Sequence, residues 1–315
     1  MFWVGVTVAV AAVGMVIFDV LLRRKTTPEI ANIIEMVPPF SVRTPEPDPS
    51  AINVRFRTAD NLELAGSWFL PDNPRGTIVF CHELLGNRWL ATKYCRPLLE
   101  AGFAVFSFDF RNHGDSEHLP GYEPMHWASK YEAKDLRAAL TVVQAHAVCG
   151  ALPLGLVGIS RGGTVALHLA AEYPAARAIL ADGAFSLRTM VPLYVRQWGA
   201  IYLPKWFIDG MPMWYLKWLV RCAARSLQTR KNCRFTNLER VLPCLDSRRV
   251  LLVSGKRDSY VKPAVTEKLA ALIGPTCLAW IVKGAKHNKA REVAAAEYSE
   301  RMLRLFEENL EEPTR

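Results

Sequence analysis

The sequence predicts an α/β protein with a mostly parallel, eight-stranded sheet and helices on both of its faces. Apolar runs typical of strands alternate with longer segments of helical periodicity from about residue 77 to residue 309. A G-x-S-x-G stretch, Gly158–Gly162, lies where one apolar run meets a helical segment. An uncharged segment, residues 1–18, comes before all of these and predicts an additional N-terminal transmembrane helix.

The first element is this apolar segment, which continues to Leu22. Its length is close to the roughly 20 residues that span a bilayer as a helix. Three basic residues, Arg23–Lys25, follow at once, whereas a secretory signal usually carries its positive charge before the apolar segment. Residues 1–22 are therefore predicted to form a single-pass membrane anchor, with the rest of the chain on the cytoplasmic side. A cleaved signal peptide and a soluble N-terminal helix are the alternatives.

Residues 23–50 are predicted to be a proline-rich linker. Thr27 can cap a short helix whose first residue is Pro28. Pro38 and Pro39 would end this helix. The later prolines keep the following stretch extended, so no further element is expected before residue 51.

The main domain is predicted to occupy residues 51–315, a length that can bury a sizeable core. It opens on a hairpin with strands near 52–57 and 62–69 and a turn at Asp60-Asn61. The later strands are predicted to begin near residues 77, 104, 155, 178, 250 and 278. Helices are predicted over about residues 87–101, 130–147, 161–173, 262–273 and 290–309.

An insertion at residues 186–249 is predicted to be a helical cap. It is rich in aromatic residues and holds twelve basic and three acidic residues, an excess equal to the formal net charge of the whole chain, +9. Trp214 and Trp218 fall on one helical face, and Arg221 and Arg225 continue a basic stripe. Two interpretations stay open: a packed lid with solvated charges, or an amphipathic surface that lies on anionic lipid. Nucleic acid is not an expected partner, because no recognised binding motif accompanies the charge.

The serine of the G-x-S-x-G stretch is a candidate nucleophile. A serine on a sharp strand-to-helix turn is held in a strained backbone with its hydroxyl exposed. The N-terminus of the helix that follows stabilises nearby negative charge. Ser160 is therefore predicted to carry the chemistry, and a glycine-rich turn without a catalytic role is the alternative.

A serine nucleophile needs a base, and the base needs a carboxylate that orients it. Of the seven histidines, only His287 lies well beyond Ser160, in a loop before the final helical segment. Asp258 is the preferred acid, because it follows a strand and precedes the histidine strand by one helix. Asp182, after the preceding strand, is the alternative acid. Two backbone N–H groups, of Leu84 and of Arg161, are predicted to hold an oxyanion.

With these residues assigned, the chain resembles serine hydrolases of the α/β-hydrolase superfamily over roughly residues 51–315. The group includes monoglyceride-lipase-like, aminopeptidase-like and membrane-anchored BEM46-like members. His82, Gly86 and Asn87 resemble the family's His-Gly-x-x-Gly oxyanion loop. Asp109–Ser116 resembles its Asp-x-Arg-Gly-His-Gly-x-Ser stretch. The resemblance implies that Ser160, Asp258 and His287 occupy the positions of a catalytic triad.

Glu83 departs from the family pattern, which usually has glycine at this position. A carboxylate beside an oxyanion hole opposes the charge that develops there unless it points away or is paired. Arg161 or Arg111 is the expected partner.

The resemblance implies hydrolysis of a carboxylic ester through an acyl-enzyme, without a cofactor or a metal. The implied partners are a small-molecule or lipid ester and a membrane, and the anchor and cap favour the lipid-like ester. Enzymes of the same fold also hydrolyse thioesters and N-terminal peptide bonds, so a thioesterase or an aminopeptidase is an alternative. A catalytically weak binding or scaffold protein is the alternative from a different functional class. The seven cysteines are scattered and lack C-x-x-C pairs, so reduced thiols are expected rather than a disulfide framework or a zinc site.

Overall fold

The computed structural model describes residues 2–36 and 41–310, which cluster into two compact units. The helical unit joins the N-terminal helix to Leu187–Asn232. The sheet unit contains the described residues of Pro39–Ser186 and Cys233–Arg315. The insertion predicted over residues 186–249 is therefore divided, because its residues from Cys233 onward belong to the sheet unit.

The sheet has eight strands, and this confirms the predicted fold class. Strands β1 to β8 are Ile52–Arg57, Glu63–Phe69, Thr77–Cys81, Ala104–Phe108, Leu154–Ile159, Ala176–Asp182, Arg249–Gly255 and Cys277–Val282. Their spatial order is β1-β2-β4-β3-β5-β6-β7-β8. β2 is antiparallel to both β1 and β4, and the other neighbouring pairs of the described sheet are parallel.

Twelve α-helices lie in the described residues. Helices α1 to α12 are Phe2–Glu35, Leu90–Tyr94, Arg96–Glu100, Lys130–Ala145, Arg161–Ala170, Leu187–Trp198, Lys205–Gly210, Met213–Arg230, Leu238–Val241, Pro263–Ile273, Ala290–Val293 and Ala295–Leu310. Short 3₁₀ turns occupy Cys149–Ala151, Gly199–Ile201 and Leu242–Leu245. Of the α-helices, α1, α6, α7 and α8 form the helical unit.

Helices cover both faces of the sheet. Side chains on both faces of the central strands are therefore buried, which explains why these strands are continuous apolar runs in the sequence. β3 and β5 are buried along their whole length, as expected for parallel strands inside an α/β sheet. Ile78 and Phe80 of β3 join a core cluster with α2, α3 and α12. Successive strand residues alternate between faces, so Val79, which is also buried, points to the opposite face, where α4 and α5 lie.

The N-terminal helix is the one described helix that is long and apolar enough to cross a membrane. None of its most apolar 18-residue window is buried. The prediction of a separate short helix starting at Pro28 is wrong, since α1 runs without a break from Phe2 to Glu35. A proline inside a helix removes one backbone hydrogen bond. Burial of Ile30 and Ile34 beyond Pro28 supplies tertiary packing that keeps the helix intact.

Helix α8 packs along the second half of α1 in the same direction. The Tyr215 hydroxyl donates to the Asp19 carboxylate at 2.7 Å. The Arg23 guanidinium lies over the Trp218 ring at 4.8 Å from its centroid. Glu35 at the end of α1 pairs with Arg230 and Lys231 at the end of α8. Partner residues along the pair thus differ by a nearly constant 195 or 196 positions, which shows that the two helices are parallel and in register.

Candidate active site

The carboxyl ends of the parallel strands bring five of the predicted loops to one edge of the sheet. β3 is followed by Leu84, β5 by Ser160, β7 by Asp258 and β8 by His287, and β6 ends at Asp182. β3 lies between β4 and β5. The strand that follows β3 in sequence, β4, therefore lies on one side of it, and the next strand, β5, lies on the other side. In open α/β sheets, ligands bind in the crevice at such a switch point, and Ser160 lies directly beside it.

Ser160 occupies a strained turn between β5 and α5. Its φ is +53° and its ψ is −117°, a conformation that costs a non-glycine residue on the order of 1–3 kcal/mol. The Ser160 N–H donates to the Asp182 carbonyl at 2.6 Å, which ties the turn to the neighbouring strand. A side chain at Gly162 would overlap the carbonyl oxygen of Cys81. This close approach of two backbones explains the glycine at position 162, two residues after the serine.

The Ser160 hydroxyl, the His287 imidazole and the Asp258 carboxylate form a continuous hydrogen-bonded chain. Ser160 Oγ lies 3.1 Å from His287 Nε2. His287 Nδ1 lies 2.7 Å from Asp258 Oδ2. The other carboxylate oxygen, Asp258 Oδ1, accepts the backbone N–H groups of Tyr260 at 2.8 Å and Val261 at 2.7 Å. Because Asp258 accepts from Nδ1, that nitrogen carries the proton and Nε2 is left to accept the serine hydroxyl.

Asp182, the alternative acid, takes part in the site through its backbone. Its carbonyl holds the Ser160 N–H, whereas the His287 Nδ1 atom faces Asp258. The Asp182 side chain is buried, and this burial raises the pKa of its carboxyl to about 7. A carboxyl group that resists ionisation is poorly suited to stabilise an imidazolium ion.

Of the two predicted oxyanion donors, Arg161 directly follows Ser160 and Leu84 lies in the loop after β3. The Arg161 N–H is the first of helix α5, where N–H groups have no acceptor within the helix. Leu84 lies in a tight turn closed by a hydrogen bond from Gly86 N–H to the Glu83 carbonyl at 3.0 Å. His82 fixes this turn, since its Nε2 accepts the Phe110 N–H at 3.0 Å and its Nδ1 donates to the Glu83 carbonyl at 2.7 Å. Burial lowers the pKa of His82 to about 3, so the ring is neutral.

The prediction that Arg161 or Arg111 pairs with Glu83 is wrong. The buried guanidinium of Arg161 donates to the Met125 carbonyl at 3.1 Å and lies 3.5 Å from Glu132. That of Arg111 pairs with Asp135 at 2.6 Å and with Asp60 at 3.0 Å. Both guanidinium groups therefore serve the scaffold beneath the site.

The partner of Glu83 is instead the side-chain amide of Asn288, which donates to its Oε2 atom. Burial raises the pKa of the Glu83 carboxyl, which lowers the cost of placing it near an oxyanion. The hydrogen bond also joins the loop that carries Leu84 to the residue that follows His287. Asn288 has a φ of +54°, which turns the chain directly after the histidine.

Sequence reasoning missed Asn288, Gly183 and Tyr260. A side chain on Gly183 would lie 2.6 Å from Asn288 Oδ1 and 3.0 Å from a His287 ring carbon, so glycine leaves space for the histidine loop. The Tyr260 ring contacts the His287 ring edge to face at a centroid distance of 5.1 Å. Tyr260 lies two residues after the predicted acid, Asp258, and this short separation in sequence could have indicated that it lies near the site.

The alpha/beta hydrolase family model matches residues 78–300. The chain belongs to this family. Among curated relatives, an uncharacterised Mycobacterium tuberculosis protein is 24% identical over 243 residues, which are 76% of this chain and 73% of that protein. The sn-1-specific diacylglycerol lipase of Mus musculus is 35% identical over 100 residues, which are 31% of this chain and 28% of the lipase.

Solved structures agree on the fold. An esterase of Pyrococcus furiosus superimposes with a TM-score of 0.62 at 22% identity, covering 87% of this chain and 97% of the esterase. A dienelactone hydrolase of Anabaena variabilis gives a TM-score of 0.56 at 17% identity, covering 82% of this chain and 98% of that structure. These identities are low, so the likeness shows the alpha/beta hydrolase fold alone.

Within this hydrolase, aromatic rings extend from His287 into the sheet unit. Tyr260 contacts Phe185 at 5.6 Å and His126 at 5.9 Å between ring centroids. Trp127 in turn contacts Phe185 at 5.4 Å. Burial lowers the pKa of His126 to about 3, so its ring is uncharged. The histidine end of the hydrogen-bonded chain is thus bordered by a largely apolar wall.

Proposed function

We propose that this alpha/beta hydrolase is a membrane-anchored serine hydrolase that cleaves a carboxylic ester, with a lipid-like acyl ester as the favoured substrate. The observation that carries the proposal is the hydrogen-bonded chain from Ser160 Oγ through His287 to Asp258, with the serine on a strained strand-to-helix turn. Nucleophile, base and orienting acid within hydrogen-bond reach are the signature of an activated serine.

In the proposed reaction, Ser160 Oγ attacks the ester carbonyl carbon while His287 Nε2 takes the hydroxyl proton. Asp258 stabilises the resulting imidazolium ion through Nδ1. The N–H groups of Leu84 and Arg161 stabilise the negative charge on the former carbonyl oxygen. Collapse of the tetrahedral intermediate expels the alcohol, which leaves with the proton held by Nε2. A water molecule then attacks the acyl-enzyme with His287 as base, and the carboxylic acid and free Ser160 are released.

Three observations support an apolar ester substrate. Aromatic rings border His287. The chain carries an apolar helix that is long enough to span a bilayer. A diacylglycerol lipase is among the curated relatives, with 35% identity over 31% of this chain.

A panel of model substrates tests the reaction class. Purified enzyme is offered p-nitrophenyl esters of increasing acyl length, a monoacylglycerol, an acyl thioester and an aminoacyl p-nitroanilide. We expect kcat/KM to be highest for the oxygen esters and to rise with acyl length. A preference for the thioester would make the protein a thioesterase, and a preference for the anilide would make it an aminopeptidase. No turnover of any substrate would favour a binding protein.

We infer that α1 anchors the protein in a membrane with the sheet unit on the cytoplasmic side, because Arg23–Lys25 follow the apolar segment. Cys244 is exposed and reports the side on which the sheet unit lies. A membrane-impermeant maleimide is expected to label it in inside-out vesicles and to leave it unlabelled in sealed right-side-out vesicles. Cys244→Ser provides the control for labelling of other thiols. Labelling only in right-side-out vesicles would reverse the topology, and release of the protein at alkaline pH would argue against an anchor.

Glu83 is expected to contribute through its hydrogen bond to Asn288 rather than through its charge. Glu83→Gln retains a hydrogen-bonding oxygen and should leave kcat within about threefold. Glu83→Ala should lower kcat roughly tenfold, since an ordinary hydrogen bond is worth about 0.5–1.5 kcal/mol. Asn288→Ala should match Glu83→Ala, and the double variant should be no worse than either. Steady-state kinetics measures all of them, with Glu292→Ala as a matched carboxylate control. Equal losses in the glutamine and alanine variants would mean that the charge matters.

A further inference from the structure

Because α1 and α8 are parallel and in register, the position of a residue along α8 gives its distance from the bilayer that α1 is proposed to span. α1 is a continuous helix, and about 20 of its residues span the hydrocarbon core. The first charged residues of α1 are Asp19 and Arg23, and charged side chains belong at the boundary of the core, so the core ends near residue 21. Tyr215 and Trp218 of α8 contact these two residues. The start of α8 thus lies at the level where α1 leaves the bilayer, and the rest of α8 points away from it.

Two exposed tryptophans lie at this level. Trp214 precedes Tyr215 and is 68% exposed. Trp206 is 76% exposed and precedes Phe207, whose ring contacts Phe18 of α1 at a centroid distance of 6.2 Å. Apolar side chains that adjoin one another on an exposed surface mark interaction sites, including sites that bind membranes. Both are fixed next to the end of the apolar span by the contacts of their chain neighbours.

We propose that Trp206 and Trp214 insert into the boundary between lipid headgroups and acyl chains, and so dock the helical unit on the bilayer that α1 enters. This inference rests on the proposed membrane anchor. Tryptophan favours this boundary because its ring is apolar and its indole N–H needs a polar partner. The occupant of the surface is a lipid bilayer.

The same register shows which residues of the basic stripe on α8 lie close enough to the bilayer to interact with anionic lipid. Lys217, Arg221 and Arg225 are all exposed on α8. At 1.5 Å per residue, Arg221 lies about 6 Å and Arg225 about 12 Å farther from the bilayer than Lys217. Screening acts over about 8–10 Å at moderate ionic strength, so Lys217 contributes most to attraction by anionic lipid and Arg225 least. Helix α8 therefore meets the bilayer with its first turn rather than lying flat on it.

Quenching of tryptophan fluorescence by brominated lipids tests the proposal on the full chain in liposomes. Lipids brominated near the headgroup end of the acyl chain should quench the wild type, and Trp206→Phe/Trp214→Phe should lose that component. Trp280→Phe is the matched control, because this half-buried ring belongs to the sheet unit, and it should change nothing. Unchanged hydrolysis of a short soluble ester shows that each variant is folded.

Val10→Trp places a fluorescent reporter near the middle of the apolar span of α1 and tests the anchor separately. This variant should gain a component that is quenched by lipids brominated deep in the acyl chain. If that component is present but the double variant retains all of the shallow quenching, the docking surface is overturned while the anchor stands. If the Val10→Trp component is missing, the anchor fails, and the docking surface fails with it.

Discussion

Ser160→Ala is expected to abolish labelling by a fluorophosphonate and to reduce ester hydrolysis by at least roughly 10⁴-fold, as removal of a triad member does in other serine hydrolases. The hydroxyl is the atom that would bond to phosphorus or to the acyl carbon. His287 Nε2 lies 3.1 Å from Ser160 Oγ in the wild type. Alanine has no hydroxyl group, so the histidine would have no proton to take from this position. The remaining activity would come from the oxyanion donors and substrate binding.

The same substitution should leave the fold intact. Alanine keeps the backbone N–H that donates to the Asp182 carbonyl, and the removed atom makes a single hydrogen bond. The expected change in the free energy of unfolding is within about 1 kcal/mol, the net value of an ordinary hydrogen bond. Ser254→Ala, at a buried serine of β7, is the control and should label normally. Persistent labelling of the Ser160 variant would show that another residue is the nucleophile.

The fold was predictable because its signals are local and repeated. Parallel strands covered on both faces appear as short apolar runs, and β3, β5 and β7 begin at or within one residue of the predicted positions. Chain order also selected a set of residues, Ser160, Asp258 and His287, that the structure brings within hydrogen-bond reach. Their catalytic roles remain predictions until the variants are measured.

The remaining features depend on contacts between distant segments, which no local pattern encodes. Pro28 is a helix-breaking signal, and only packing of α1 against α8 explains why the helix continues through it. The partner of Glu83 comes from a loop 205 residues later in the chain. Charge complementarity pointed to arginine, but both candidate arginines are bound to buried carboxylates of the scaffold. The direction of α8 relative to α1 likewise follows from side-chain pairs that the sequence alone does not align.

Asp258→Asn is expected to lower kcat by roughly 10⁴-fold, as when the histidine of a triad adopts the wrong tautomer. The oxygen of the new amide should remain at Oδ1, where Tyr260 and Val261 donate to it. Its NH₂ group then faces His287 Nδ1, which must accept rather than donate. The imidazole proton moves to Nε2, and the base can no longer take the Ser160 proton.

Asp182→Asn should act on stability instead, with a defined dependence on pH. In the native protein, the pKa of Asp182 is raised to about 7, whereas an unfolded chain has an aspartate pKa of about 3.9. The native state therefore holds this proton more tightly, and the group's contribution to stability falls as pH rises from about 4 to 7. Asparagine cannot ionise, so the Tm of the variant relative to wild type should increase between pH 5 and pH 8. Kinetics and thermal unfolding at both pH values measure the two variants together. A larger fall in kcat for Asp182→Asn than for Asp258→Asn would transfer the role of triad acid to Asp182.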